Sequence, residues 1–152
     1  MAIIVAADPG AKGAFCALDS VTGDIDFCDF SKATPLEMLQ WLRLVSPDRI
    51  WIEDVHSLFG MSAKSNFNFG RNLGIIQTIA DIHGKGYETV TPKIWQKAVG
   101  VTSKGKAIKK DVANLCKQKY PQANIYGPKG GLLDGRSDAL MIAEYGLSQY
   151  KE

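Results

Sequence analysis

Three short apolar runs crowd into the first thirty residues, and the turns between them are too short to hold a helix. Every later apolar run is separated from the next by a helix-length segment. Residues 3–8, 14–18 and 25–27 therefore read as an antiparallel meander, with glycine-bearing turns at 10–13 and 20–24. Thr34-Pro35-Leu36-Glu37 is a helix start, with Thr34 as cap, Pro35 at the first helical position and Glu37 completing a capping box. Leu36, Leu39, Trp41, Leu42 and Val45 recur at helical spacing to about Ser46, where Pro47 stops the helix. Residues 50–52 form a buried, parallel strand that ends in Glu53-Asp54. A loop over 57–65 leads to a helix from about Asn66 or Gly70 to His83. Next come a strand at 87–90, a helix opened by Thr91-Pro92 and carrying Trp95, a lysine-rich helix over about 104–119, a loop at 124–131 and a last helix over about 134–150. The order β-β-β-α-β-α-β-α-α-α predicts one α/β domain over 1–152, with a mixed five-stranded sheet of a three-stranded antiparallel meander plus parallel strands and helices on both faces.

Composition removes several classes. With 45% hydrophobic and 22% charged residues the chain is neither disordered nor low in complexity. No apolar run approaches the ~18–20 residues of a membrane span, so no membrane partner is expected. The apolar opening lacks a basic leader and meets Asp8 at once, so it reads as a strand and not a signal peptide. Cys16, Cys28 and Cys116 are widely spaced and read as reduced core residues of a cytoplasmic protein. With only His56 and His83 beside them, a Cys/His zinc site is disfavoured.

The net charge of +2 conceals a strong asymmetry. Between Lys85 and Arg136 stand 11 basic and 3 acidic residues, whereas 1–84 holds 6 basic and 10 acidic. A basic half joined to an acidic half suggests a polyanion for the first and metal ligands in the second. On charge alone a solvated lysine face is the simpler explanation.

The acids carry more. Asp8, before Pro9-Gly10, and Glu53 each end an apolar strand, and strand ends of a parallel-rich sheet open on one edge. Asp134 and Asp138 are four apart, about 40° around one helical face, shared with Met141, Ile142 and Tyr145. Four converging carboxylates need a counter-charge, and Mg²⁺ or Mn²⁺ suits oxygen donors. Two such ions per active site would activate water and stabilise the leaving oxygen in phosphodiester hydrolysis. Each acid alone has a plainer reading: Asp8 as a turn cap, Glu53 as solvated, Asp134 as the cap of the last helix.

With these residues in order, the chain resembles the RuvC-type Holliday-junction resolvases, particularly compact phage-type members of the ribonuclease-H-like superfamily. The resemblance spans nearly the whole chain. It rests on Ala7-Asp8-Pro9-Gly10 with Gly13, Ile52-Glu53-Asp54-Val55-His56, Gly70-Arg71-Asn72-Leu73-Gly74, Thr91-Pro92-Lys93-Ile94-Trp95-Gln96-Lys97, the lysine-rich helix, and Asp134-Gly135-Arg136-Ser137-Asp138-Ala139-Leu140. It implies a ribonuclease-H-like fold and a homodimer that nicks two symmetric strands of a four-way DNA junction with Mg²⁺ or Mn²⁺, in a prokaryotic host's cytoplasm if phage-encoded. Asp8, Glu53 and Asp138 match the family's carboxylates. Bacterial members place their last two acids three apart, which falls here on Gly135, so Asp134 stands in as the fourth. Asp54 is a weaker candidate, pointing away from Glu53 if the strand continues.

On the lysine-rich helix Lys106, Lys110 and Lys117 fall in one sector with Lys109 beside it, while Ile108, Val112 and Leu115 lie elsewhere. Lys104, Lys106, Lys109 and Lys110 are expected to hold junction arms, with Arg71 and Lys93 as further DNA contacts. Phe59 and Met61, beside Gly60, are expected to be exposed as an apolar wedge for unstacked bases, whereas Phe67 and Phe69 read as core. Gly70, Gly74 and Ala80, with Ile75, Ile76 and Ile79, suit either a dimer interface or packing on the sheet. Other readings are a same-fold nuclease of RNA–DNA hybrids or forks, and an inactive branched-DNA binding module. An actin- or sugar-kinase-like phosphotransferase needs two domains, and 152 residues are too few.

Overall fold

The structure, a computed structural model, describes residues 2–55 and 60–150. Its elements are β1 (Ile3–Asp8), β2 (Ala14–Asp19), β3 (Ile25–Asp29), a 3-10 turn (Phe30–Lys32), α1 (Pro35–Val45), β4 (Arg49–Glu53), α2 (Ala63–His83), β5 (Glu88–Val90), α3 (Pro92–Val99), α4 (Ala107–Lys119) and α5 (Asp134–Gln149). Among the described residues five strands form one sheet in the order β3-β2-β1-β4-β5. The β1–β2 and β2–β3 pairs are antiparallel, and β1–β4 and β4–β5 are parallel. The predicted meander and crossovers are therefore present.

Alternation along the strands builds two cores. Ile4 and Ala6 of β1 pack with Trp51, Trp95, Val112, Leu140 and Ile142 on the side of α3, α4 and α5. Val5 and Ala7 pack with Phe15, Ile52, Leu42 and Ile79 on the side of α1 and α2. Central strands buried on both faces read as continuous apolar runs, the pattern seen at 3–7 and 50–52. Cys16, Cys28 and Cys116 are free and buried, as small apolar residues of these cores.

Local signals set the helix ends. The Thr34 hydroxyl accepts from the Glu37 N–H while Glu37 accepts from the Thr34 N–H, so the predicted capping box forms. Two boundaries differ from the sequence expectation. α2 begins at Ala63, ahead of Asn66 or Gly70, because Ser62 caps it by accepting from the Ser65 N–H. The early turns of α2 lack an apolar stripe, so periodicity hides them, and Phe67, expected in the core, is 70% exposed. α4 begins at Ala107, not near Lys104, so Lys104 and Lys106 precede the helix as part of a turn. That turn is pinned by Asp111, whose Oδ2 accepts from the backbone N–H groups of Thr102 and Ser103 and from the Ser103 hydroxyl.

Candidate active site

The site begins at the ends of β1 and β4. These strands run parallel with Ala7 opposite Ile52, so Asp8 and Glu53, the next residue on each, reach the same edge of the sheet. Side chains alternate along a strand, so Asp8 follows Ile4 and Ala6, and Glu53 follows Trp51, toward the α5 side. Asp8 is held by its own turn: Oδ1 accepts from the Gly10 N–H at 3.2 Å.

α5 supplies the other two acids and is buried on nearly all sides. Its first turn lies directly on the 10–13 turn. A Cβ on Gly135 would stand 2.1 Å from the Lys12 carbonyl oxygen and 2.8 Å from the Gly13 Cα. One on Gly13 would stand 1.8 Å from the carbonyl oxygen of Asp8. Backbone approaches this close admit no side chain. The position three before Asp138 is therefore closed to an acid, and Asp134, the first residue of the helix, is the carboxylate one turn from Asp138. Arg136 ties this turn to β3: its guanidinium donates twice to Asp29, at 2.8 and 2.7 Å, donates to the Asn124 carbonyl, and lies over the Phe27 ring.

Like charge links these acids pairwise: Asp138 with Asp8, Glu53 and Asp134, and Asp8 with Glu53 and Asp134. Burial pushes the Asp138 carboxyl up to about 8, with like charge from Asp8, Glu53 and Asp134 adding to the rise and Lys109 opposing it. Burial likewise raises Glu53 to about 7, reinforced by Asp8 and opposed by a hydrogen bond from Trp95. Asp8 rises to about 6 by burial, offset by the Gly10 N–H, raised by Asp134 and lowered by Lys109. Proximity and a low local dielectric make the acids resist ionising together.

Two partners of these acids have no clear signal in the sequence. The buried Trp95 indole donates to Glu53 Oε2 at 2.7 Å from 42 residues away; only its place on a short helix after Pro92 hints at anything. Lys109 Nζ lies 3.0 Å from Asp134 Oδ2, so this lysine faces the acids instead of solely the open helix surface. Among the described residues no group of three or more His, Cys, Asp and Glu side chains is arranged to hold a metal ion ready-made, with Asp134 paired to Lys109 and one Glu53 oxygen bonded to Trp95. The donor set itself, oxygens only and mutually repelling, fits a hard divalent cation.

The expected DNA contacts divide between the layers. Lys109 and Lys110 are exposed in the first turn of α4, Lys104 and Lys106 are exposed just before it, and Lys93 is exposed on α3. Val112 is buried while Ile108 and Leu115 pack partly against the core, so the helix separates its faces as expected. Arg71 lies on α2, in the opposite layer, beside an apolar groove between α1 and α2. Met61 is 40% exposed, as predicted for the wedge; Phe59 lies outside the described residues. No described helix is long and apolar enough to cross a membrane.

No protein-family model matches the sequence, and no curated protein does. Solved structures do match. Thermus thermophilus RuvC in complex with a Holliday junction substrate aligns with a TM-score of 0.65 at 15% identity, covering 93% of this chain and 90% of that one. A second Thermus thermophilus RuvC structure aligns at 0.63 and 18%, covering 97% and 96%. A Fowlpox virus resolvase with its Holliday junction DNA aligns at 0.56 and 17%, covering 98% and 99%. Over nearly its whole length, the chain has the ribonuclease-H-like fold in the form these resolvase structures share.

Proposed function

We propose that this protein is a metal-dependent endonuclease that resolves four-way DNA junctions by paired symmetric nicks. The observation that carries the reading is the placing of Asp8 and Glu53 at the ends of parallel strands, on the face covered by α5 with its Asp134 and Asp138, and of Lys109 on α4 beside them, paired with Asp134. The likeness to structures of resolvases with Holliday junction DNA supports the same substrate class.

Asp8, Glu53 and Asp138, with Asp134, would hold Mg²⁺ or Mn²⁺, two ions per site. When bound, such ions activate water for attack on phosphorus and stabilise the leaving oxygen. The chain's own residues do the rest. Strand register brings Asp8 and Glu53 to one edge of the sheet, and Asp138 is set by the seat of α5 on the 10–13 turn. Lys104, Lys106 and Lys110 are exposed in and just before α4, the helix whose Lys109 pairs with Asp134, and would take backbone phosphates, fixing the DNA without reading its sequence. Lys93 on α3 would add a further phosphate contact, and Arg71 would serve a separate arm. Met61 and Phe59 would meet unstacked bases at the junction centre.

A paired cut requires two active sites, and a two-fold homodimer supplies them. The groove between α1 and α2, about 550 Å³ and lined by Leu36, Leu39, Gly74, Ile75, Ile79 and Ile82, is the surface we assign to the second copy. Leu36 and Ile82 are 61% and 54% exposed there, which an isologous interface would cover. Sedimentation of Ile82→Asp beside the unaltered protein tests this, and a monomeric unaltered protein at micromolar concentration would rule it out.

The decisive experiment is cleavage of a labelled synthetic four-way junction, with duplex, fork and RNA–DNA hybrid controls, in Mg²⁺ and in EDTA. Metal-dependent nicks on opposite strands, lost in Asp8→Asn, are expected. Preferential cutting of hybrid would move the protein to the ribonuclease branch of the fold, and binding without nicks would make it a branched-DNA binding module.

A further inference from the structure

The acids of the site are not held alike. Asp8 has a short side chain clasped by its own turn, and α5 seats Asp138. Glu53 has a longer side chain with one more free torsion, so strand register alone leaves its carboxylate undirected. It is also the most enclosed, at 8% exposure, while Trp95 beside it is fully buried.

Resting on the metal-dependent reading above, we propose that Trp95 is the positioning residue that fixes the Glu53 carboxylate for the divalent cation. The indole N–H donates to Oε2 at 2.7 Å, which would leave the other carboxylate oxygen for the ion. Indole suits the task. It is donor only and uncharged, so it neither accepts a competing bond nor competes with the metal as a cation. Its ring belongs to the core formed by Val99, Val112 and Leu140, so the N–H cannot follow the carboxylate elsewhere. The other tryptophan with a side-chain acceptor, Trp41, donates to Asp26 at the surface, away from the site.

A purely structural role makes a different forecast. A buried indole N–H needs some acceptor, and losing that bond alone lowers stability without touching metal affinity. The test is Trp95→Phe, which removes the donor and keeps an aromatic ring, titrated with Mn²⁺ by calorimetry and by electron paramagnetic resonance without DNA. We expect Mn²⁺ binding weakened about tenfold or more, the usual cost of losing an outer-shell partner. Unchanged affinity in folded Trp95→Phe overturns the proposal and leaves the nuclease reading intact. An unaltered protein that binds no Mn²⁺ overturns both. Should Trp95→Phe fail to fold, the indole ¹H–¹⁵N signal of Trp95 in the unaltered protein, assigned with Trp41→Phe and Trp51→Phe, decides the matter. A shift of that signal on Mg²⁺ addition upholds the proposal, and its indifference to Mg²⁺ overturns it.

Discussion

Lys109 and Asp134 form an ion pair, Nζ to Oδ2 at 3.0 Å, that brings a cation to the carboxylate cluster. The lysine's positive charge also reaches Asp138 and Asp8, opposing the upward shift of both carboxyls. A lysine predicted from its helix face as a phosphate contact thus has an acid as its partner.

That pair opposes a metal ion twice over, by engaging Asp134 and by adding like charge. Lys109→Met is expected to tighten Mn²⁺ binding about fivefold, the scale of roughly 1 kcal/mol for a solvent-screened pair. Calorimetric titration of the DNA-free protein measures it. Weaker binding would make Lys109 a support for Asp134 and not a competitor.

The remaining lysines answer to salt. Removing Lys106 and Lys110 together is expected to flatten the dependence of log junction affinity on log salt by about 0.9 for each phosphate that a lysine no longer neutralises. Fluorescence anisotropy at several salt concentrations, in EDTA, reads the slope. An unchanged slope would take these lysines off the DNA surface.

The raised acids make stability depend on pH in a defined sense. Asp8, Glu53 and Asp138 keep protons in the folded protein, up to about 6, 7 and 8, that an unfolded chain releases near pH 4. Their contribution is full below the unfolded value and is lost as pH rises through the folded ones. The metal-free protein should therefore melt at progressively lower temperature from about pH 5 to 8.5, in EDTA. Asp19, Asp29, Glu37 and Asp111 are shifted downward by hydrogen bonds and titrate below that window. Asp138→Asn should flatten the profile and stabilise the protein on the order of 1–2 kcal/mol at pH 8, the usual exchange of function for stability. A profile flat in the unaltered protein would contradict the clustered acids.

Gly135 offers a sharper test of the site. Gly135→Asp places an acid three residues before Asp138, yet its Cβ would overlap the Lys12 and Gly13 backbone. We expect a loss of about 1–3 kcal/mol by denaturant unfolding, together with weaker Mn²⁺ binding as α5 is pushed off its seat. Unimpaired stability with tighter metal binding would show that the turn yields and that an acid three residues before Asp138 is available to the metal.

Most of the fold is legible in the amino-acid sequence. Strand and helix order, the capping box at Thr34 and the strand-end positions of Asp8 and Glu53 depend on local signals: periodicity of two or 3.6, turn residues, and caps. The early start of α2 is not legible, because Ser62 caps a turn with no apolar stripe. The start of α4 reads too early, because its lysines continue into the turn pinned by Asp111. What the local pattern cannot carry is which side chains meet across long separations. Trp95 reaches Glu53 through the packing of α3 on α5, and Lys109 reaches Asp134 through α4 on α5. Gly135 is closed by a turn more than a hundred residues earlier. Chain order and chemistry are local properties of the sequence; the partners of the acids come only from tertiary packing, because hydrogen bonds, ion pairs and excluded volume depend on proximity in space and not along the chain.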